Sequence, residues 1–353
     1  MHHELLKHMF PFPGEKGRKF RNDAALDIFK ELFTDDEAEI ASKMSFAPEP
    51  VEDIAARVGR CAEEIVPVLD VMAEKGLVYS GEKAGVTRYC LLVLFPGMGE
   101  LQFMHGEETP EKLKLAKMFD EFHEMVGEEM YVVDTPLPRV LPAQSQVPPA
   151  LVLPYEEVSK YINDSNYISR SICYCRQHAK LLDRWCGRPL DVCLTFGPFA
   201  ELVVKHGFGE KISTEEALAV LDRTEEAGLV HLTENCREKV NFICNCCGCC
   251  CYFMRGITRY DKPQCVASSN FLCSVDEASC AGCEQCVERC YVNAISVVDD
   301  VAHVDADRCI GCGLCGLVCP TESLKLVRRA EEIVPKTNSK ELRAQIAMEA
   351  MQE

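Results

Sequence analysis

Through the first third of the chain, apolar residues recur at helical spacing, and polar or glycine punctuation cuts them into short elements. Asn22 or Asp23 opens a helix predicted to run to about Phe33, and Asp35 opens a second to about Met44. Residues 51–58 and 62–75 read as a helix pair around a tight turn at Gly59. Gly76 supplies a helix stop, after which Leu77, Val78 and Tyr79 begin a strand. Residues 80–85 turn, and 86–95 return as a second strand. Next comes an amphipathic helix from about Pro110, with Leu113, Ala116, Phe119, Phe122 and Val126 on one side. Residues 135–154 hold six prolines and read as an extended connector, whose Val140, Leu141, Val147, Leu151 and Val152 lay it against the body. Gly197-Pro198 opens a further helix to about His206. After Arg328 a polar linker leads to a helix from about Asn338 or Ser339, where Leu342, Ile346 and Ala350 make a thin apolar stripe.

The order of elements over 1–106 is that of a winged helix. Charge argues against its use on DNA. The second helix of the pair carries Glu63, Glu64, Asp70 and Glu74 against Lys75, and the segment has twelve Lys+Arg against eighteen Asp+Glu. A DNA reader is basic where it meets phosphate, so docking to protein or a structural role is the better expectation. A short similarity links Glu63 through Val78 to Glu215 through Val230. It reads either as convergence of two helix–glycine–strand corners or as a second corner of winged-helix type.

Cysteine changes the picture. Two runs near the C-terminus match: Cys280-x2-Cys283-x2-Cys286-x3-Cys290, and Cys309-x2-Cys312-x2-Cys315-x3-Cys319 followed by Pro320. Such a loop lets three sulfurs converge on three irons of one cube while the amides between them turn toward its sulfides. Small residues sit where the backbone must approach: Ala281, Gly282, Gly311, Gly313 and Gly316. Four-cysteine zinc sites do not repeat this triple spacing. Residues 271–328 thus resemble the bacterial two-cluster ferredoxins, in which each run gives its fourth thiolate to the other cluster. The resemblance implies Cys280, Cys283, Cys286 and Cys319 on one 4Fe–4S cluster, and Cys309, Cys312, Cys315 and Cys290 on the second. One departure is Cys290-Tyr291, where that family has Cys-Pro.

A second constellation lies in the middle of the chain: Cys173, Cys175, Cys186 and Cys193, then Cys244, Cys246, Cys247, Cys249, Cys250 and Cys251. Adjacent side chains diverge in extended backbone, so the 244–251 run is not expected to give all its sulfurs to one ion. One arrangement is a third 4Fe–4S cluster on Cys173 or Cys175, Cys186 and Cys193, closed by one thiolate from that run. Zinc or copper(I) also suits all-thiolate donors, but the neighbouring ferredoxin-like runs favour iron. His178 is a minor ligand option, and Arg176 a hydrogen-bond donor to sulfur. Cys61, Cys90, Cys236, Cys265 and Cys273 read as small core residues. Residues 155–328 also resemble a set of 4Fe–4S binding proteins with Cys-x-Cys-Arg and Asn-Cys-Cys-x-Cys-Cys-Cys segments, a likeness that implies no substrate.

The sequence therefore predicts an α+β chain. It has a winged-helix-like domain (1–106), a helix and connector (107–154), a mainly helical cysteine-rich domain (155–270), a two-cluster ferredoxin domain (271–328) and a helical tail (329–353). The 353 residues, 47% apolar, suffice for several cores. A formal charge of −18 disfavours nucleic acid and suits a basic patch on a redox protein. The 23 cysteines sit at metal-ligand spacings, there is no secretory pattern and no apolar run long enough for a bilayer, so a reducing, cytoplasmic setting is expected. No Gly-x-Gly-x-x-Gly follows a strand, and no Walker loop or nucleophile elbow is present. The expected function is electron transfer, alongside a partner oxidoreductase that holds a flavin or another organic cofactor. The rivals are a reductase with an active-site cluster or thiols in the middle domain, and a redox-sensing winged-helix regulator.

Overall fold

Local signals set the N-terminal helices. In the computed structural model, which describes residues 1–352, Asn22 caps Asp23–Leu32 by accepting from the Ala25 amide at 2.8 Å. Thr34 and Glu37 form a capping box on Asp35–Ala41. Val51–Val58 ends at Gly59, whose φ of 81° only glycine adopts without strain, and Ala62–Glu74 follows. Three antiparallel strands complete the unit in the order Glu49–Pro50, Val86–Leu91, Val78–Lys83. Two further helices, His2–Met9 and Gly14–Phe20, cover it, with Leu5, Leu6 and Met9 buried.

The segment 107–154 does not stand apart as a connector. Thr109 caps the helix Pro110–Val126, which buries Leu115, Ala116, Phe119, Phe122 and Val126 in the N-terminal core. Leu113, expected on that face, is only half-buried. Within the proline-rich stretch, Pro138–Leu141 is a fully buried edge strand. An edge position tolerates proline, which cannot donate to a ladder.

That strand joins a six-stranded sheet in the order Pro138–Leu141, Val230–Glu234, Phe242–Cys246, Cys193–Phe196, Ile168–Ser171, Glu210–Ile212, antiparallel throughout. The middle domain, expected to be mainly helical, carries this sheet beside its helices. Its strands have three to five residues, and Val230–Glu234 and Pro138–Leu141 are buried at every position. Strands covered on both faces lose the alternation that reveals a strand in sequence. The two similar corners share their backbone, with φ of 72° at Gly76 and 69° at Gly228. The second corner feeds this large sheet, not a wing.

The C-terminal unit is two antiparallel pairs, Phe271–Val275 with Leu324–Arg328 and Ile295–Val298 with Val301–Val304, around short helices at Gln285–Arg289 and Leu314–Leu317. The tail then returns: Lys336–Asn338 pairs in parallel with Cys236–Glu238, and Ser339–Gln352 is a helix whose Leu342 is fully buried.

Candidate metal centres

The C-terminal cysteines line two hollows. One is bounded by Cys280, Cys283, Cys286 and Cys319 with Ala302, Ser323 and Leu324. The other is bounded by Cys290, Cys309, Cys312 and Cys315 with Ile295, Ile310 and Leu326. Each thus gathers three cysteines of one run and the last of the other. Gly311 (φ 68°) lies too close to the Phe271 carbonyl to admit a side chain.

Backbone amides already address the sulfurs. Ala302 N–H donates to Cys280 Sγ at 3.4 Å and Ala294 N–H to Cys290 Sγ at 3.3 Å. Burial pushes the Cys319 thiol up, but hydrogen bonds from Ser323 and Thr321 outweigh it and hold the group at about 7. Burial pushes the Cys312 thiol up, and the charges of Cys315 and Cys309 add to this. The two hollows differ in access. Cys283 and its neighbours Ala281 and Glu284 are exposed, whereas the second hollow is walled by Val230 and Tyr291 on the side of the middle domain.

Sequence reasoning missed Cys273. It was read as core filler, yet it lines the inner hollow with its thiol 3.5 Å from that of Cys315. Its position as the third residue of Phe271–Val275, on the strand leading into the loops, was the available signal.

Residues 273–326 match the family model of the 4Fe-4S dicluster domain. That segment is a ferredoxin-like 4Fe–4S domain. Comparison of the chain with curated proteins and with solved structures gave no match. The donor set fits such clusters: soft thiolates at the family spacing, small residues at the loops, amides aimed at sulfur, and a low-polarity surround.

The ten cysteines of the middle segment separate into two groups. Six face one another around a ring. In order around it, each acting on the ionisation of the next, are Cys173, Cys175, Cys251, Cys246, Cys244 and Cys193. The Cys246–Cys251 separation is 3.2 Å. Hydrogen bonds from Cys193 and Cys246 hold the Cys244 thiol down at about 6. The remaining four, Cys186, Cys247, Cys249 and Cys250, have sulfurs all within 4.8 Å of one another. The grouping considered from sequence, Cys186 with Cys173 or Cys175 and Cys193, is therefore not the one the fold assembles. As the pleat requires, Cys246 and Cys247 point into different groups. Cys249 and Cys250 converge because they lie in a turn after Phe242–Cys246, not in extended backbone.

Arg176 lies between the groups. It is 1% exposed, Nη1 donates to the Asn245 carbonyl at 2.9 Å, and Nε and Nη2 have no hydrogen-bond partner among the described residues. Although burial works against its charge, the sulfurs of Cys173, Cys193, Cys247 and Cys246 surround it and hold it fully protonated. A buried guanidinium with two idle donors calls for an anion, and a thiolate-bound metal centre provides one. His178 is not a ligand: its Nε2 meets the Ala116 carbonyl at 2.9 Å and its Nδ1 meets the Tyr252 hydroxyl at 3.1 Å.

Proposed function

We propose that this chain is a cytoplasmic iron–sulfur electron-transfer protein. It passes electrons through two 4Fe–4S clusters and a third metal centre, at the six-thiol ring, to or from a partner oxidoreductase. The observation that carries the reading is the pair of hollows, each edged by three cysteines of one run and the last of the other. Bound clusters supply one-electron chemistry at low potential.

The chain's own residues do the rest. The exposed Ala281–Glu284 edge gives a partner close approach to the outer hollow. Ile310, Leu314 and Leu326 exclude water from the inner one. Amides of Ala302 and Ala294 offset thiolate charge. Tyr291, next to Cys290, packs its side chain against the Gly248 turn, so the inner hollow abuts the middle-domain cysteines through one residue. The N-terminal unit, read as winged-helix-like, serves as a docking module, and the flavin or other organic cofactor belongs to the partner. The ring favours one secondary reading. Six thiols exceed the four that one cube uses, and the spare sulfurs would suit a reductase site.

The test is a reductive titration followed by electron paramagnetic resonance on anaerobically purified protein. Two interacting low-potential cluster signals are expected, one of them altered in Cys283→Ser. Absence of any signal after full reduction would refute the assignment.

A further inference from the structure

We propose that Cys186, Cys247, Cys249 and Cys250 bind a single tetrahedral metal ion, zinc(II) or iron(II), separate from every iron–sulfur cluster in the chain. The proposal deepens the reading of the middle domain as metal-holding and rests on it.

Geometry sets this group apart. A metal–sulfur bond of about 2.3 Å in a tetrahedron places its sulfurs about 3.8 Å apart. The Cys186–Cys247 sulfurs are 3.9 Å apart and those of Cys249 and Cys250 3.7 Å. Among the described residues, no other group of three or more possible ligands has donor atoms mutually within 4.8 Å. A cube spreads its thiolates over four irons, so four sulfurs all within 4.8 Å of one another do not suit it. The soft four-sulfur donor set selects zinc or iron.

Charge points the same way. Four thiolates and a divalent ion leave two negative charges. Two arginines answer them: buried Arg176, with idle Nε and Nη2 and the charge of Cys247 among its neighbours, and Arg188, on which the charges of Cys186 and Cys247 act. Arg188 also lies 5.5 Å over the Tyr291 ring. The ion would hold the Cys247–Cys250 turn in place. Gly248 in that turn is flush with Tyr291, where an added Cβ would sit 2.8 Å from the tyrosine Cβ. The Tyr291 hydroxyl donates to the Gly228 carbonyl at 2.7 Å. The tetrathiolate centre therefore seats the middle domain on the residue that follows Cys290. The departure from Cys-Pro at that point gains a purpose: a flat ring to receive the turn.

The experiment compares zinc, iron and acid-labile sulfide in the anaerobically purified full chain and in the Cys186→Ser/Cys249→Ser variant. Loss of one ion per chain with sulfide unchanged is the expected result. X-ray absorption at the edge of the lost metal separates the two sources. Zinc would show four sulfurs in one shell and no metal neighbour in the unmodified protein. Iron would show as a mononuclear high-spin ferric signal after mild oxidation, absent from the variant. Sulfide falling in step with the metal would overturn the proposal, as would an unmodified chain holding no metal beyond that matched by sulfide. If the variant does not fold, the spectra of the unmodified chain decide alone. A chain with the tetrathiolate ion but no sulfide would defeat the electron-transfer reading while leaving this site standing.

Discussion

Arg176 carries a charge that water does not screen, and sulfurs of both thiol groups of the middle domain act on it. At roughly 5 Å and an effective dielectric near 20, one such charge is worth about 3 kcal/mol to an adjacent anion. Replacing it by glutamine would remove that help from the reduced, more negative form of the centre proposed at the ring. The expected result for Arg176→Gln is a midpoint potential lower by on the order of 100 mV, with the ferredoxin-like signals unmoved. An unchanged potential would place the charge elsewhere. His178 offers a second test. Burial pushes it down to about 4, against an ordinary 6.5. Below pH 6.5 the unfolded chain takes up a proton that the native chain refuses, so the stabilisation present above 6.5 is lost as pH falls toward 4. The loss amounts to roughly 3 kcal/mol. In urea titrations of the metal-loaded protein between pH 7 and 5, His178→Gln should lose less stability than the parent. Residue identities in the two C-terminal runs were legible because covalent geometry fixes their spacing. Cys273 was harder to read, since a lone cysteine has only its place on the strand leading into the loops, and no repeated spacing, to mark it.

Between elements, the contact that matters most is the turn at Gly248 against Tyr291. Gly248→Ala forces the two apart, an overpacking cost of about 1–3 kcal/mol. The expected outcome is a matching fall in unfolding free energy, partly restored in Gly248→Ala/Tyr291→Ala. Two independent, additive losses would deny the contact. Helices were readable at this scale. Asn22, Thr34, Gly59 and Gly76 mark ends that the structure shows at or within a residue or two of the positions expected from sequence. The six-stranded sheet was not readable. Its strands pair residues far apart in sequence, such as Arg139 with Thr233, and their two-faced burial erases the period of two. The proline-rich stretch misled for the same reason: what looked like a spacer contributes an edge strand.

For the whole molecule, a formal charge of −18 sets what the surface can meet. The helix Ala62–Glu74 presents Glu63, Glu64, Asp70 and Glu74 to solvent. Nearby cations are engaged, Arg57 with Glu49 and Arg60 with Asp36. Gel-shift at low salt should therefore show no retardation of duplex DNA in either redox state; retardation would revive the regulator reading. Among the described residues, no helix is long and apolar enough to cross a membrane. The three parts lock together through short polar contacts: Asn270 to Glu156 at 2.6 Å, Arg328 to Glu156 at 3.0 Å, and His178 to the Ala116 carbonyl. Such locking keeps the outer hollow, the inner hollow and the cysteine groups in fixed register. It depends on side chains that only the folded chain brings together, which is why the sequence revealed the cysteine runs but not how those of the middle segment group.

The most direct measurement is the iron and acid-labile sulfide content of the full chain, purified without oxygen. The account expects a brown protein with at least about eight irons matched by sulfide, rising to about twelve with the ring occupied. Colourless protein, or protein carrying zinc alone, would contradict it.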